Sequence, residues 1–268
     1  MQIIGTAAAG IRAQQLALDV AADNIANVDT PGFKSGRVEF AEALAQIERS
    51  AGVTLGSGAS LPTDLTTGRG VVDQGLIVNA GQGVLVSTGS PFDLAVDGEG
   101  FLAVRTPAGQ LAYTRAGSFR LDASGTLVDA AGNVLQAVQA GSLGPVRLPV
   151  PAEKAAVHPD GVVAAIAPGD TAAREFGVLA LAKFRNPAEL TRLGSNLYQP
   201  SAASGPAQPG VPGAAGFGRI QPGMLEQSNV DLTAAIPDLL QAQRAYQMNV
   251  RLLQDGDEMW GLANAIRR

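Results

Sequence analysis

The chain contains no cysteine and a single histidine among its 268 residues. The first absence excludes disulfides, thiol catalysis and cysteine–zinc sites together. The one histidine, His158, lies in the turn-forming tetrapeptide "HPDG". A zinc site would have to rely on carboxylates, an uncommon ligand set, and Ser/His/Asp catalysis would need a turn residue as its base. Aromatic residues make up only 4% of the chain, so its cores are expected to be thin and to depend on neighbours as well as on internal packing. No stretch reaches the ~18 consecutive apolar residues that a spanning helix requires, and the sequence predicts no membrane span. The start "MQIIGTAAAGIRAQQ" lacks a basic stretch ahead of its apolar part. It reads as a poor secretory signal, and on that test alone the protein reads as cytosolic. Net charge is −5 without a basic run, which argues against nucleic-acid binding.

Sites of chemistry are equally scarce. "DGEGF" (97–101) lacks the third glycine and the following helix of a dinucleotide fingerprint. "GSGAS" (56–60) lacks the Lys-Ser/Thr of a P-loop. Asp93, Asp97 and Glu99 do not have the spacing of a calcium loop and read as exposed hairpin carboxylates. The acidic "DGDE" (255–258) reads as a solvated helix face. No catalytic, cofactor or metal residue is assigned, and the chain is read as a non-enzyme.

What the sequence does have is two helical ends. Ile4, Ile11, Leu18 and Ile25 recur every seven residues in a proline-free, alanine-rich run from Gln2 to about Val28, which places them on one stripe of a helix about 40 Å long. At the other end Leu232, Leu239, Tyr246, Leu253 and Trp260 also recur every seven, and Leu252, Met259 and Ile266 run beside them. Two readings stand: both helices cover a globular core, or they pair as a coiled coil. Pro237 falls harmlessly in the first turn if Thr233 is the N-cap, and kinks the helix if it begins at Asp231.

Between the ends, residues 92–136 carry glycines at roughly eight-residue spacing between short apolar runs. Asp122–Gly125 and Asp129–Asn133 are candidate turns, and the region reads as antiparallel β. Further strands are expected at Val84–Ser87, Val146–Val150, Val162–Ile166 and Gly177–Phe184. Segments 50–70 and 200–218 are rich in Gly, Pro, Ser and Ala and read as hinges. The fold class is α+β: N- and C-terminal helices pairing as a coiled coil around an inserted antiparallel β-rich domain. Its divisions are 1–34 (N-terminal helix and motif), 35–70 (connector), 71–200 (β-rich domain), 201–222 (Gly/Pro-rich connector) and 223–268 (C-terminal helix).

Three blocks then carry a resemblance. "AQQLALDVAADNIANVDTPGFKSGRVEF" (13–40) resembles the N-terminal motif of bacterial flagellar axial proteins, the rod, hook and hook-associated subunits. "GMLEQSNVDLTAAIPDLLQAQRAYQMNVRLLQDGDEM" (223–259) is similar to their C-terminal motif, above all at Ser228, Asn229, Val230, Gln243, Arg244, Tyr246 and Asn249. Residues 89–135 are similar to the segment that rod and hook proteins share. Order and length fit the distal rod subunit best. The alternatives are another rod or hook-type subunit or, from a different class, a soluble β module that binds carbohydrate or peptide. That last reading predicts a folded monomer whose helices resist protease.

The resemblance implies a structural subunit without cofactor. It would be exported by the flagellar type III apparatus without a cleaved signal peptide. It would then stack helically with copies of itself, other rod subunits and the hook, in the periplasmic part of the basal body within its ring proteins. The axle so formed would transmit torque and enclose the export channel. The residues expected at subunit interfaces are Ile4, Ile11, Leu18, Asn24, Ile25, Asn27, Thr30, Gly32 and Phe33, with Leu232, Leu239, Gln243, Arg244, Tyr246, Asn249, Leu253 and Trp260. Asn24 and Asn27 fall on one helix side, where amides can bond a neighbouring backbone. Thr30, Pro31 and Gly32 end the helix, and Phe33 anchors the exit. The sequence departs from the family pattern at Asp23 and Asp29, where asparagine is usual, at Leu102, where a second aromatic is common, and at Pro237.

Overall fold

A computed structural model describes residues 2–44, 46–49, 65–139, 142–149, 153–166 and 172–266. The segment 50–64, with most of the first expected hinge and its "GSGAS", lies outside them, as does Val150. The architecture is α+β, with helices at both ends and a central antiparallel β-rich region. Two compact units are drawn from it: Met1–Ile25, Gly36–Ile77 and Leu232–Arg268 form one, Ala26–Ser35 and Val78–Asp231 the other.

In the first unit, helix α1 spans Gln2–Ala26 and helix α2 spans Leu232–Ile266. α2 begins at Leu232, so Pro237 lies beyond the first turn, inside the helix, and contributes no N–H to the carbonyl four residues back. Among the residues of α2 that lose solvent is a four–three series, Leu239, Ala242, Tyr246, Asn249, Leu253 and Gly256, with Ala235, Ala245 and Val250 beside it. Two of these meet α1. A Cβ on Gly10 would lie 2.9 Å from the Asn249 amide, and one on Gly256 would lie 3.5 Å from Ile4 Cγ1. Small residues at both points permit that approach. Strand Gly36–Glu42 pairs with Val71–Val78, and Gln46–Arg49 pairs antiparallel with Leu65–Thr67. The first expected connector thus holds paired strands at both its ends.

The second unit is built on one antiparallel sheet. Across it run Glu153–Val157, Val162–Ile166, Arg174–Leu179, Val134–Gln139, Phe101–Arg105, Leu111–Thr114, Leu197–Gln199 and Thr191–Gly194. Both of its faces are covered. Leu102 and Val104 enter a cluster with Leu94, Leu135, Leu179 and Leu181, while Phe101 and Ala103 enter another with Tyr113, Phe184 and Tyr198. A strand buried on both faces reads as a continuous apolar run, which is why period-two alternation is faint in this sequence. Phe184 stands edge-on to Phe101 and Tyr113, with centroids 5.7 and 5.0 Å apart, an arrangement the ring quadrupoles favour. Leu102, on the opposite face, is fully buried.

The turns follow the sequence closely. Gly125, Gly132 and Gly161 have φ of 78°, 82° and 82°, and their N–H groups donate to the Asp122, Asp129 and His158 carbonyls. His158 therefore sits in a tight turn. Two expected strands need correction. Val146–Val150 is replaced by strand Ser142–Pro145, with Arg147 only in an isolated bridge to Thr126. Gly177–Phe184 breaks at Ala180 into Arg174–Leu179 and Leu181–Lys183, which pair with different neighbours. The region 200–218 also holds a strand, Gln208–Gly210, on the outside of Leu181–Lys183. An edge position tolerates Pro209, whose missing N–H costs the sheet no bond.

Candidate functional site

The loop after α1 is held by the segment just before α2. Asn24 Nδ2 donates to the Gly36 carbonyl and its Oδ1 accepts the Gly36 N–H, both at 2.8 Å. One amide thus serves both backbone groups of a strand's first residue. Thr30 Oγ1 donates to Asn27 Oδ1 at 3.2 Å, and Thr30 N–H to the Asn27 carbonyl, which closes the turn that ends the helix. Gly32 has a φ of 71°, and its N–H donates to the Glu226 carbonyl at 2.7 Å. A Cβ there would lie 2.3 Å from the Ala116 nitrogen, so glycine is required twice over, by φ and by space. Phe33 is buried under the Arg192 guanidinium, 5.2 Å from its ring centroid. That guanidinium also donates to the Lys34 carbonyl, a stacked cation with a directed bond.

Beneath this loop lies a buried ionic cluster. Lys34 Nζ is 2.5 Å from Glu226 Oε1, and both side chains are fully buried. Arg115 Nη1 reaches Glu226 Oε2 at 3.2 Å. The Gly83 N–H donates to Glu226 Oε1 at 2.8 Å. Two cations share one carboxylate, and the excess charge is spread over carbonyls: Gly81 accepts from Lys34, and Val96 and Gly98 accept from Arg115. Burial pushes the Lys34 ammonium and the Arg115 guanidinium below their ordinary pKa values, and Glu226 opposes the shift in both. Asn229 completes the clamp. Its Oδ1 accepts the Ser35 N–H at 2.7 Å, and its Nδ2 donates to the Asn79 and Gly81 carbonyls.

This arrangement has the character of a structural clamp. Its one carboxylate is fully buried and bonded to two cations and an N–H of the chain itself. Among the described residues no group of three His, Asp or Glu side chains could hold a metal ion. Asp97 accepts bonds from Gln82 and Gln221, Asp93 accepts from Thr88, and Glu99 pairs with Lys183.

The residues singled out in the sequence fall into three environments. Gly32 and Phe33 are buried; Asn24, Asn27 and Thr30 are half-buried, and all five are engaged within the chain itself. Ile4, Ile11, Leu18 and Ile25 are half-buried on α1, as are Leu239, Tyr246, Asn249 and Leu253 on α2. Leu232, Gln243, Arg244 and Trp260 are exposed. Sequence reasoning missed Lys34, Arg115, Arg192 and Glu226. A charge within an apolar motif, such as Lys34 directly after Phe33, was the available signal.

The clamped loop and the segment preceding the last helix lie in two of the three stretches of this chain that match families of flagellar rod and hook proteins. The family described as "Flagella basal body rod protein" matches residues 4–34. "Flagellar hook protein FlgE/F/G D1 domain" matches 95–165, and "Flagellar basal body rod FlgEFG protein C-terminal" matches 221–266. The chain is 37% identical over 268 residues to the flagellar basal-body rod protein FlgG of Caulobacter vibrioides, covering 100% of both chains. It is 34% identical to the FlgG of Borreliella burgdorferi, covering 100% of this chain and 99% of that one. With the FlgG of Bacillus subtilis the identity is 37%, covering 93% of each. The chain belongs to the FlgG family of flagellar basal-body rod proteins, structural subunits of the distal rod and not enzymes.

Proposed function

We propose that the terminal helices pair as a coiled coil and that this pair is the surface through which copies stack helically into the axle. The approach of Gly10 to Asn249 and of Gly256 to Ile4 supports the pairing. The observation that carries the stacking is an apolar ridge left in solvent on α2. Met248 is 61% exposed, Leu252 51%, Met259 59% and Leu262 66%. Apolar side chains so arranged on one helix mark a contact surface, and a contact that does not close on itself produces an open helical filament.

On this reading the interface residues are Ile4, Ile11, Leu18 and Ile25 on α1, with Leu232, Leu239, Tyr246, Leu253 and Trp260 on α2. Gln243, Arg244 and Asn249 are the polar contacts. Asn24, Asn27, Thr30, Gly32 and Phe33 belong to the same axial layer, which segments 1–34 and 223–268 form. The assembled axle transmits torque from motor to hook and encloses the export channel. Its partners are other rod subunits, the hook, the surrounding ring proteins and the type III export apparatus that delivers the chain, without a cleaved signal peptide, to the periplasmic part of the envelope.

Leu252→Glu combined with Met259→Glu tests this. The expected outcome is a chain whose β-rich unit unfolds as in the parent, yet which yields no distal rod in isolated hook–basal bodies labelled with immunogold. Normal rods from the double variant would overturn the proposal.

A further inference from the structure

The first unit holds an open groove of about 720 Å³ between α1 and the strand at Val71–Val78. Its apolar floor is formed by Ala9, Ala13, Leu16 and Val72, and Arg12 and Arg69 stand on its lining. Both arginines are exposed, and neither forms an ion pair among the described residues. The groove is open above Gly5, where a Cβ would meet nothing within 4 Å. From Gly5 to Leu16 the α1 wall runs for about 16 Å, three turns of helix.

The ridge on α2 has the complementary form. Met248, Leu252, Asp255, Met259 and Leu262 follow the four–three spacing of a single helix face, and each is exposed. The stripe is apolar except at its centre, where Asp255 stands; Arg251 and Glu258 flank it about one turn before and after, and Asp257 falls on the opposite side of the helix. An apolar ridge about 21 Å long with a central carboxylate matches an apolar groove that carries two guanidinium groups. One acid facing two arginines also fixes register, because sliding the ridge by a turn sets an apolar side chain against Arg12.

We infer that this groove receives the Met248–Leu262 ridge of α2 from a second copy of the chain, with Asp255 set against Arg12 and Arg69. Each copy presents both a groove and a ridge, so the contact is head-to-tail and propagates without closing. The inference rests on the proposed helical stacking and names the element that each copy offers to the next. Asp73 also stands on the groove lining.

Two experiments test it in hook–basal bodies isolated from cells that express full-length variants. The chain's lack of cysteine makes disulfide trapping clean. Thr6→Cys chains are co-expressed with Leu252→Cys chains or with Leu262→Cys chains, the two directions in which the ridge can run. One pairing is expected to give an oxidised heterodimer, while each single variant alone gives none. Absence of a heterodimer in both pairings, from rods that assemble, would overturn the inference. In the second experiment, Arg12→Glu with Arg69→Glu is expected to lower assembled rod at least about tenfold. Adding Asp255→Arg to the same chain is expected to restore it, where Asp255→Arg alone lowers it. Failure of the rescue, with Leu252→Glu/Met259→Glu still abolishing rods, would sink the groove as the receptor and leave the ridge as the stacking surface. Normal rods from that ridge variant would remove both readings.

Discussion

Lys34 and Glu226, 192 positions apart in the chain, form a fully buried ion pair with 2.5 Å between Nζ and Oε1. The carboxylate is shared with Arg115, so its two partners do not depend on it equally with respect to loss. Glu226→Gln leaves two cations buried against an amide, and removing one partner of such a pair costs about 3–5 kcal/mol. In a unit of this size that lowers the melting temperature by on the order of 10 °C. Lys34→Met leaves Glu226 with Arg115 and the Gly83 N–H, so it forfeits mainly hydrogen bonds, about 1–3 kcal/mol. Thermal unfolding of the two variants is expected to rank Glu226→Gln well below Lys34→Met. Equal losses would show that Arg115 does not share the carboxylate.

Two glycines make an opposed pair. At Gly32 a methyl group would meet the Ala116 backbone nitrogen at 2.3 Å, with φ at 71°, and backbone cannot yield as a flexible side-chain tip does. Gly32→Ala is expected to cost more than ~2 kcal/mol, since strain and overpacking add. At Gly261, inside α2, a methyl group would meet nothing within 4 Å. Gly261→Ala is expected to stabilise the helix by about 1 kcal/mol, the propensity difference between the two residues. Chemical denaturation of both variants checks the signs; a destabilised Gly261→Ala would mean that α2 is not helical at that position in solution.

How much of this was legible in the sequence depended on the range of the signal. The helices were readable because heptad spacing is local, and α1 ends within two residues of the expected point. The turns were readable because Asp, His and Gly declare their own backbone preferences at Asp122, Asp129 and Gly161. The seam of α2 was only half readable. Leu239, Tyr246 and Leu253 lie on it, but Leu232 and Trp260 stand in solvent. The positions that complete it, Ala242, Asn249 and Gly256, are small or polar and carry no hydrophobic signal. Backbone pairing needs no apolar side chains, so the paired strands Gln208–Gly210 and Arg219–Pro222 within the second connector gave little signal. The clamp was beyond reach for another reason. Nothing in the neighbourhood of Lys34, Arg115, Arg192 or Glu226 says that these charges meet, because each is carried by a different and distant segment of the chain.

Asp122 supplies a test that depends on pH. Its carboxylate accepts the Thr126 N–H at 2.7 Å and the Ser124 N–H at 2.9 Å, with the Ser124 hydroxyl also bonded to it. These bonds, that from Thr126 foremost, hold the carboxyl below its ordinary value of 3.8. The folded chain therefore releases this proton more readily than the unfolded chain. Between the two pKa values the unfolded state binds more protons, so stability rises with pH across that window. The contribution is fully present above the ordinary carboxylate range and is lost as pH falls through 3.8 towards the folded value. Asp122→Asn keeps an oxygen that can accept both N–H groups but removes the charge that titrates. Denaturation of the parent and of Asp122→Asn is expected to show a stability difference that is constant from pH 7 down to about pH 5 and shrinks as acidity increases further. A difference that grows on acidification would reverse the sign of the linkage, and the Asp122 turn would then have to be stabilised by the protonated carboxyl.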